Sequence, residues 1–193
     1  MSTQKIGKGE NCPLYQRGEK LLSHGDLEGA RDSLLESVSE DPCNAPAWAL
    51  LSQVYDESGE PEHAAEAARQ AVRSDPQNPQ WHVLRGVKVM MAEEPDDETA
   101  RAEVMDALDT AVKLAPKLAS AHLYRGVALA RIGDSAQAIS SVARAVGLEP
   151  GIYDLLEDIE EVWALRMEPG FPAEPKRPDG QAGNNPFKGF QLP

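Results

Sequence analysis

The sequence predicts an all-α fold, a solenoid of stacked helix hairpins, and three observations carry that prediction. A proline recurs at Pro42, Pro76, Pro116 and Pro150, at spacings of 34, 40 and 34 residues. Each interval holds two stretches whose apolar residues recur with a helical period, joined by a short polar turn. The cleanest copy runs from Ala121 through Leu123, Val127 and Ala130, turns at Ile132-Gly133-Asp134-Ser135, and returns through Ala138, Val142 and Ala145 to Pro150. A hairpin of this size cannot bury its own apolar faces, so copies must stack.

Counted as residues 11–44, 45–78, 79–118 and 119–150, the four units align position by position. The fourth residue is Leu14, Trp48, His82 or His122, and the eighth is Gly18, Ser52, Gly86 or Gly126. Small residues at the eighth place let one helix approach the next, which a larger side chain would prevent. In the second helices, Ala30, Ala64 and Ala138 are predicted at the tightest crossing, with Leu34, Ala68 and Val142 one turn later.

These residues resemble the tetratricopeptide repeat (TPR) family, whose unit of about 34 residues carries Trp, Leu, Gly, Tyr, Ala, Phe and Pro at set offsets. The second unit has Trp48, Leu51, Tyr55, Ala64, Ala71 and Pro76, and departs at Ser52 and Ala68. The other three keep the glycine but carry Arg17, Arg85 or Arg125 in place of the leucine before it. The resemblance implies a right-handed α-solenoid of four TPR hairpins. It implies a binding scaffold too, without naming a ligand, because one fold hosts many partners.

Residues 1–10 are expected to be flexible, with no apolar core of a secretory signal and nothing long enough to span a bilayer, so a cytoplasmic location is expected. Helices are predicted over Pro13–Ser23 and Leu27–Ser39, then Ala47–Ser58 and a helix opened by Glu60-Pro61, where proline suits the first turn. In the third unit the helices are Trp81–Met91 and Ala100–Lys113, and the longer spacing is taken up by an acidic insert, Glu93 to Glu98. Ile152, Leu155, Leu156, Ile159 and Trp163, backed by acidic residues, predict one capping helix over 151–167 that covers the last hairpin. Residues 168–193 are rich in proline and glycine and are expected to be extended or disordered. Phe187 and Phe190 stand out there as candidates for docking into a pocket on this chain or another.

Lys plus Arg number 19 against 32 Asp plus Glu, a net charge of -13, which opposes nucleic acid and anionic lipid as partners. Cys12 and Cys43 are expected to be reduced thiols; their place at one end of the first hairpin leaves a disulfide open. His24, His63, His82 and His122 show no metal-ligand spacing, and Gly7-Lys8-Gly9 lacks the spacing of a phosphate loop. No catalytic residue, metal or cofactor is therefore assigned.

The resemblance further implies that the second, fifth, sixth, ninth, twelfth and thirteenth residues of each first helix line a concave groove, and helical geometry puts those offsets on one stripe. The groove's polar end is then Tyr15, Gln16, Glu19 and Gln53. Its apolar end, the expected peptide site, is Val83, Leu84, Val87, Met90 and Met91 with Leu123, Tyr124, Val127 and Arg131. Tyr15, Glu19, Leu50, Gln80 and Leu84 stand where family members that clamp a terminal carboxylate need Lys and Asn, so that use is excluded. The reading is a non-catalytic adaptor for an apolar peptide or helix of a protein partner. A chaperone for an apolar client segment is a near relative of that idea. The alternative, from another class, is a structural subunit that self-assembles into an oligomer or larger complex.

Overall fold

The computed structural model describes residues 10, 12–92 and 97–175. They fold into helices joined by short turns, with no strand among the described residues. The chain divides into two compact units, Met1–Glu93 and Glu94–Pro193.

In the first unit, α1 (Pro13–Ser23) pairs with α2 (Leu27–Glu40) and α3 (Ala45–Glu57) with α4 (Pro61–Ser74). α2 packs on α3, and α4 on α5 (Pro79–Ala92). Local chemistry sets the starts: proline occupies the first turn of α1, α3 and α4, while Asp26 and Asn44 accept from the amides of Gly29 and Ala47 at 2.9 and 3.1 Å. The turns closing the two hairpins place Gly25 and Gly59 at φ 77° and 74°, a conformation that costs glycine little. Ala30, Leu34 and Val38 of α2 meet Ala47, Leu51 and Val54 of α3 and Ala67 of α4 in one apolar core. Tyr15, Leu22, Trp48 and Leu50 pack on its edge.

The second unit holds α6 (Glu98–Leu114), α7 (Ala119–Arg131) and α8 (Ser135–Leu148), with α7 packed on both others. The last two residues of the expected acidic insert start α6, one as its cap and one as its first residue. Asp97 caps it, accepting from the amides of Thr99 and Ala100, and Glu98 lies in its first turn, where a carboxylate opposes the positive end of the helix dipole. Residues 93–96 lie outside the described part.

The close crossings fall where the eighth-position pattern places them. A Cβ on Gly18 would lie 2.7 Å from Leu34 Cγ and 3.4 Å from the Ala30 carbonyl. One on Gly126 would lie 2.6 Å from Val142 Cγ2 and 3.2 Å from the Ala138 carbonyl. At the matching place in the second hairpin, the buried Ser52 hydroxyl donates to the Ala64 carbonyl at 2.8 Å.

The fourth position makes a recurrent tie. Trp48 Nε1 donates to the Pro42 carbonyl at 3.0 Å, and the Nε2 atoms of His82 and His122 lie 2.9 and 3.0 Å from the carbonyls of Pro76 and Pro116. A carbonyl only accepts, so each histidine carries its proton on Nε2.

The capping segment departs from the single α-helix expected over 151–167. Pro150–Asp158 is a 3₁₀ helix, Ile159 breaks it, α9 (Glu160–Trp163) is one α-turn, and Ala164–Met167 is again 3₁₀. The apolar spacing explains the misreading. Ile152 with Leu155, and Leu156 with Ile159 and Val162, repeat every three residues, which suits three residues per turn as well as an amphipathic α-helix. All five are buried. The beginning of the expected disordered tail, Glu168 to Pro175, is placed: Phe171 meets Trp163 edge to face at 6.2 Å, and a Cβ on Gly170 would touch Ile139 at 3.5 Å.

Candidate protein-binding surface

Within the first unit, the polar-end residues lie on α1 and α3 and are accessible. Gln16 and Glu19 are exposed, and Tyr15, Leu50 and Gln53 are half-buried. Gln53 Nε2 donates to Glu57 Oε1 at 2.8 Å, and Gln16 Nε2 to the Glu10 carbonyl at 3.3 Å. Burial pushes the Tyr15 hydroxyl pKa above its usual value, and the charges of Glu19 and Glu10 add to this.

The residues expected at the apolar end are placed differently. On α5, Val83, Leu84, Val87 and Met90 are buried and Met91 is half-buried. On α7, Leu123, Tyr124 and Val127 are buried, and Arg131 is half-buried with its Nε 3.7 Å from Glu161 Oε1 of α9. Phe187 and Phe190 lie outside the described residues.

Tyr124 is 3 % exposed, and its burial raises the phenol pKa to about 12. The fold thus favours the neutral phenol; this contribution to stability is complete below the unfolded value near 10 and is lost as pH rises through about 12. An ultraviolet titration should show a tyrosine step near pH 12, and Tyr124→Phe should remove that late step. A titration in which all tyrosines ionise together near their ordinary value would contradict the burial.

Two charged contacts went unforeseen. Lys88 of α5, only 7 % exposed, places Nζ 2.5 Å from Asp56 Oδ2 of α3. Arg125 Nε lies 2.6 Å from Asp109 Oδ1 of α6, and its guanidinium donates to Ser141 Oγ of α8 at 2.8 Å. The arginine found in place of the family's leucine therefore links three helices of the second unit. Its position in the repeat was visible in the sequence, but its partners were not.

Cys12 and Cys43 are free thiols. Cys12 accepts from the Tyr15 amide and from the Ser37 hydroxyl, which lowers its pKa against the opposing effect of burial. No group of three or more His, Cys, Asp or Glu among the described residues is placed to hold a metal ion. No helix among them is long and apolar enough to cross a membrane.

Models of the tetratricopeptide repeat match residues 21–86 and 105–151. No curated protein matches the sequence. Among solved structures, MamA is similar over 78 % of this chain and 79 % of its own, at 22 % identity and a TM-score of 0.66. TTC0263, a thermophilic TPR protein of Thermus thermophilus, is similar over 80 % of each chain at 21 % identity and a TM-score of 0.61. YrrB, described as a TPR protein with an unusual peptide-binding site, is similar over 83 % of this chain and 79 % of its own, at 22 % identity and a TM-score of 0.62. At such identities the likeness shows the fold. With both repeat matches lying on the hairpins and their register borne out by the glycine crossings, the chain belongs to the tetratricopeptide repeat family.

Proposed function

We propose that this chain is a non-catalytic cytoplasmic adaptor that receives an apolar peptide or helix of a protein partner along its first helices, in the manner of a chaperone where that segment belongs to an unfolded client. The observation that carries the reading is the accessible face of α1 and α3. There Tyr15, Leu22 and Leu50 are half-buried beside polar Gln16, Glu19 and Gln53, so apolar anchors sit among groups able to orient a backbone. Each large partner side chain buried on such a face would contribute roughly 1.5–3 kcal/mol before ordering costs. The peptide-binding site described for YrrB supports peptide recognition on this fold. On α5, whose other expected groove residues are buried, Met91 is the accessible member.

Photo-crosslinking tests this without disturbing the core. Benzoylphenylalanine at Leu50 or Met91 in the full chain should capture a protein partner from native lysate, whereas the same group at Arg73, exposed on α4, should not. Equal capture from Arg73 would remove the first helices as the recognition face. Adducts only with copies of this chain would replace the adaptor by a self-assembling subunit.

A further inference from the structure

We propose that the segment from Ile159 to Met167 is a displaceable strap, seated in cis on the C-terminal half of the α7 stripe. A partner segment of the same chemistry, two apolar side chains three residues apart with a carboxylate between them, would take its place. This rests on the adaptor reading and adds to it a ligand chemistry and a regulation.

Four observations carry it, all within the second unit. α9 packs against α7, and Glu161 of α9 reaches Arg131 at 3.7 Å. Arg131 stands one turn beyond Val127 and two beyond Tyr124, so the ion pair fixes the strap to that stripe of α7. Ile159 and Val162, three residues apart, are 6 % and 0 % exposed, which makes them the anchors, with Glu161 between them. The strap makes its own turn, the Val162 and Trp163 amides donating to the Ile159 carbonyl at 3.1 and 2.8 Å, and it joins the preceding 3₁₀ helix through the Ile159 amide, which donates to the Leu156 carbonyl at 3.2 Å.

The Glu161–Arg131 pair, with side chains 42 % and 25 % exposed, ties the segment to α7, α9 packs on the preceding 3₁₀ helix as well, and a single α-turn between 3₁₀ stretches contributes little cooperativity of its own. It is joined to a firmer base. Ile152 and Leu156 of the preceding 3₁₀ helix are fully buried, and that helix packs on α8. Asp158, the exposed last residue of that 3₁₀ helix, lies between the two and is the natural hinge. Opening there would expose the end of the α7 stripe and lift Gly170 from Ile139 of α8, while the preceding 3₁₀ helix stays on α8, a local transition of the kind that binding elements are drawn from.

The probe is a fluorescein-labelled peptide with the sequence of residues 157–168 of this chain, added in trans to the full-length protein and followed by anisotropy. The Glu161→Arg, Val162→Ser variant should bind it about tenfold or more tightly than the wild type, whose own strap competes. With Glu161→Ser in place of Glu161→Arg, so that no reversed pair forms in cis, adding Arg131→Glu should abolish the gain, and a peptide carrying Arg at the Glu161 place should restore it. A folded variant that binds no better than wild type overturns the strap. Should that variant fail to fold, hydrogen exchange on the wild-type chain decides. Amides of 160–167 exchanging about tenfold or more faster than those of α7 and α8 support the strap, and equal protection overturns it. Crosslinking from Leu50 is independent of this result, so the adaptor reading can survive the failure of the strap.

Discussion

Asp56→Ala should cost the first unit about 3–5 kcal/mol in urea unfolding, because it leaves the buried Lys88 ammonium without its counter-charge. The pair lies 2.5 Å apart with side chains only 8 % and 18 % exposed, so water cannot replace the lost carboxylate. Taking two charges out of water is itself costly, however, and the pair's net worth is smaller than the damage done by breaking it. The double variant Asp56→Leu, Lys88→Met should therefore recover most of the loss, and a double-mutant cycle would register a large coupling. A single variant costing less than about 1 kcal/mol would mean that Lys88 finds solvent easily, as exposed ion pairs do.

Gly126→Val is expected to be the most damaging change in the second unit, at about 3 kcal/mol, the upper end of what overpacking usually costs. The added Cβ alone would stand 2.6 Å from Val142 Cγ2, and the Ala138 carbonyl and Val142 amide nitrogen are 3.2 and 3.3 Å away. The Val142 side chain can rotate, but backbone atoms of α8 yield only if the two helices separate. Thermal unfolding should report a fall of about 10 °C or more. Gly147→Ala on the same α8 is the control: nothing lies within 4 Å of its added Cβ, and alanine should gain about 0.5–1 kcal/mol from helix propensity. Equal effects from the two substitutions would show that the crossing is looser than its distances indicate.

The hairpins were legible because their determinants are local or periodic. Proline spacing set the register, and the glycine or serine at the eighth place met Ala30, Ala64 and Ala138 as the pattern required. The start of α6 was misjudged by two residues because Asp97 and Glu98 read as part of an acidic loop, although an aspartate before a helical run is also a cap. The binding face was legible only as a set of positions. Which side chains point along a stripe follows from helical period, but whether the stripe is open depends on what packs there, and no periodicity marks Glu161 as the partner of Arg131. Asp56 and Lys88 stand 32 residues apart in the chain and meet only through the register of α3 against α5.

The fourth-position ties alter how such a chain should be read. Trp48, His82 and His122 share neither size nor hydropathy; what they share is a ring N–H reaching a proline carbonyl six residues earlier. Histidine at that place preserves the joint between successive hairpins while leaving out most of the indole's bulk. Leu14 fits the same logic from the other side, since six residues before it stands Lys8 rather than a proline. An alphabet of donors and acceptors, in place of residue names, would align all three ties and set apart the first repeat, whose leucine has no N–H to offer.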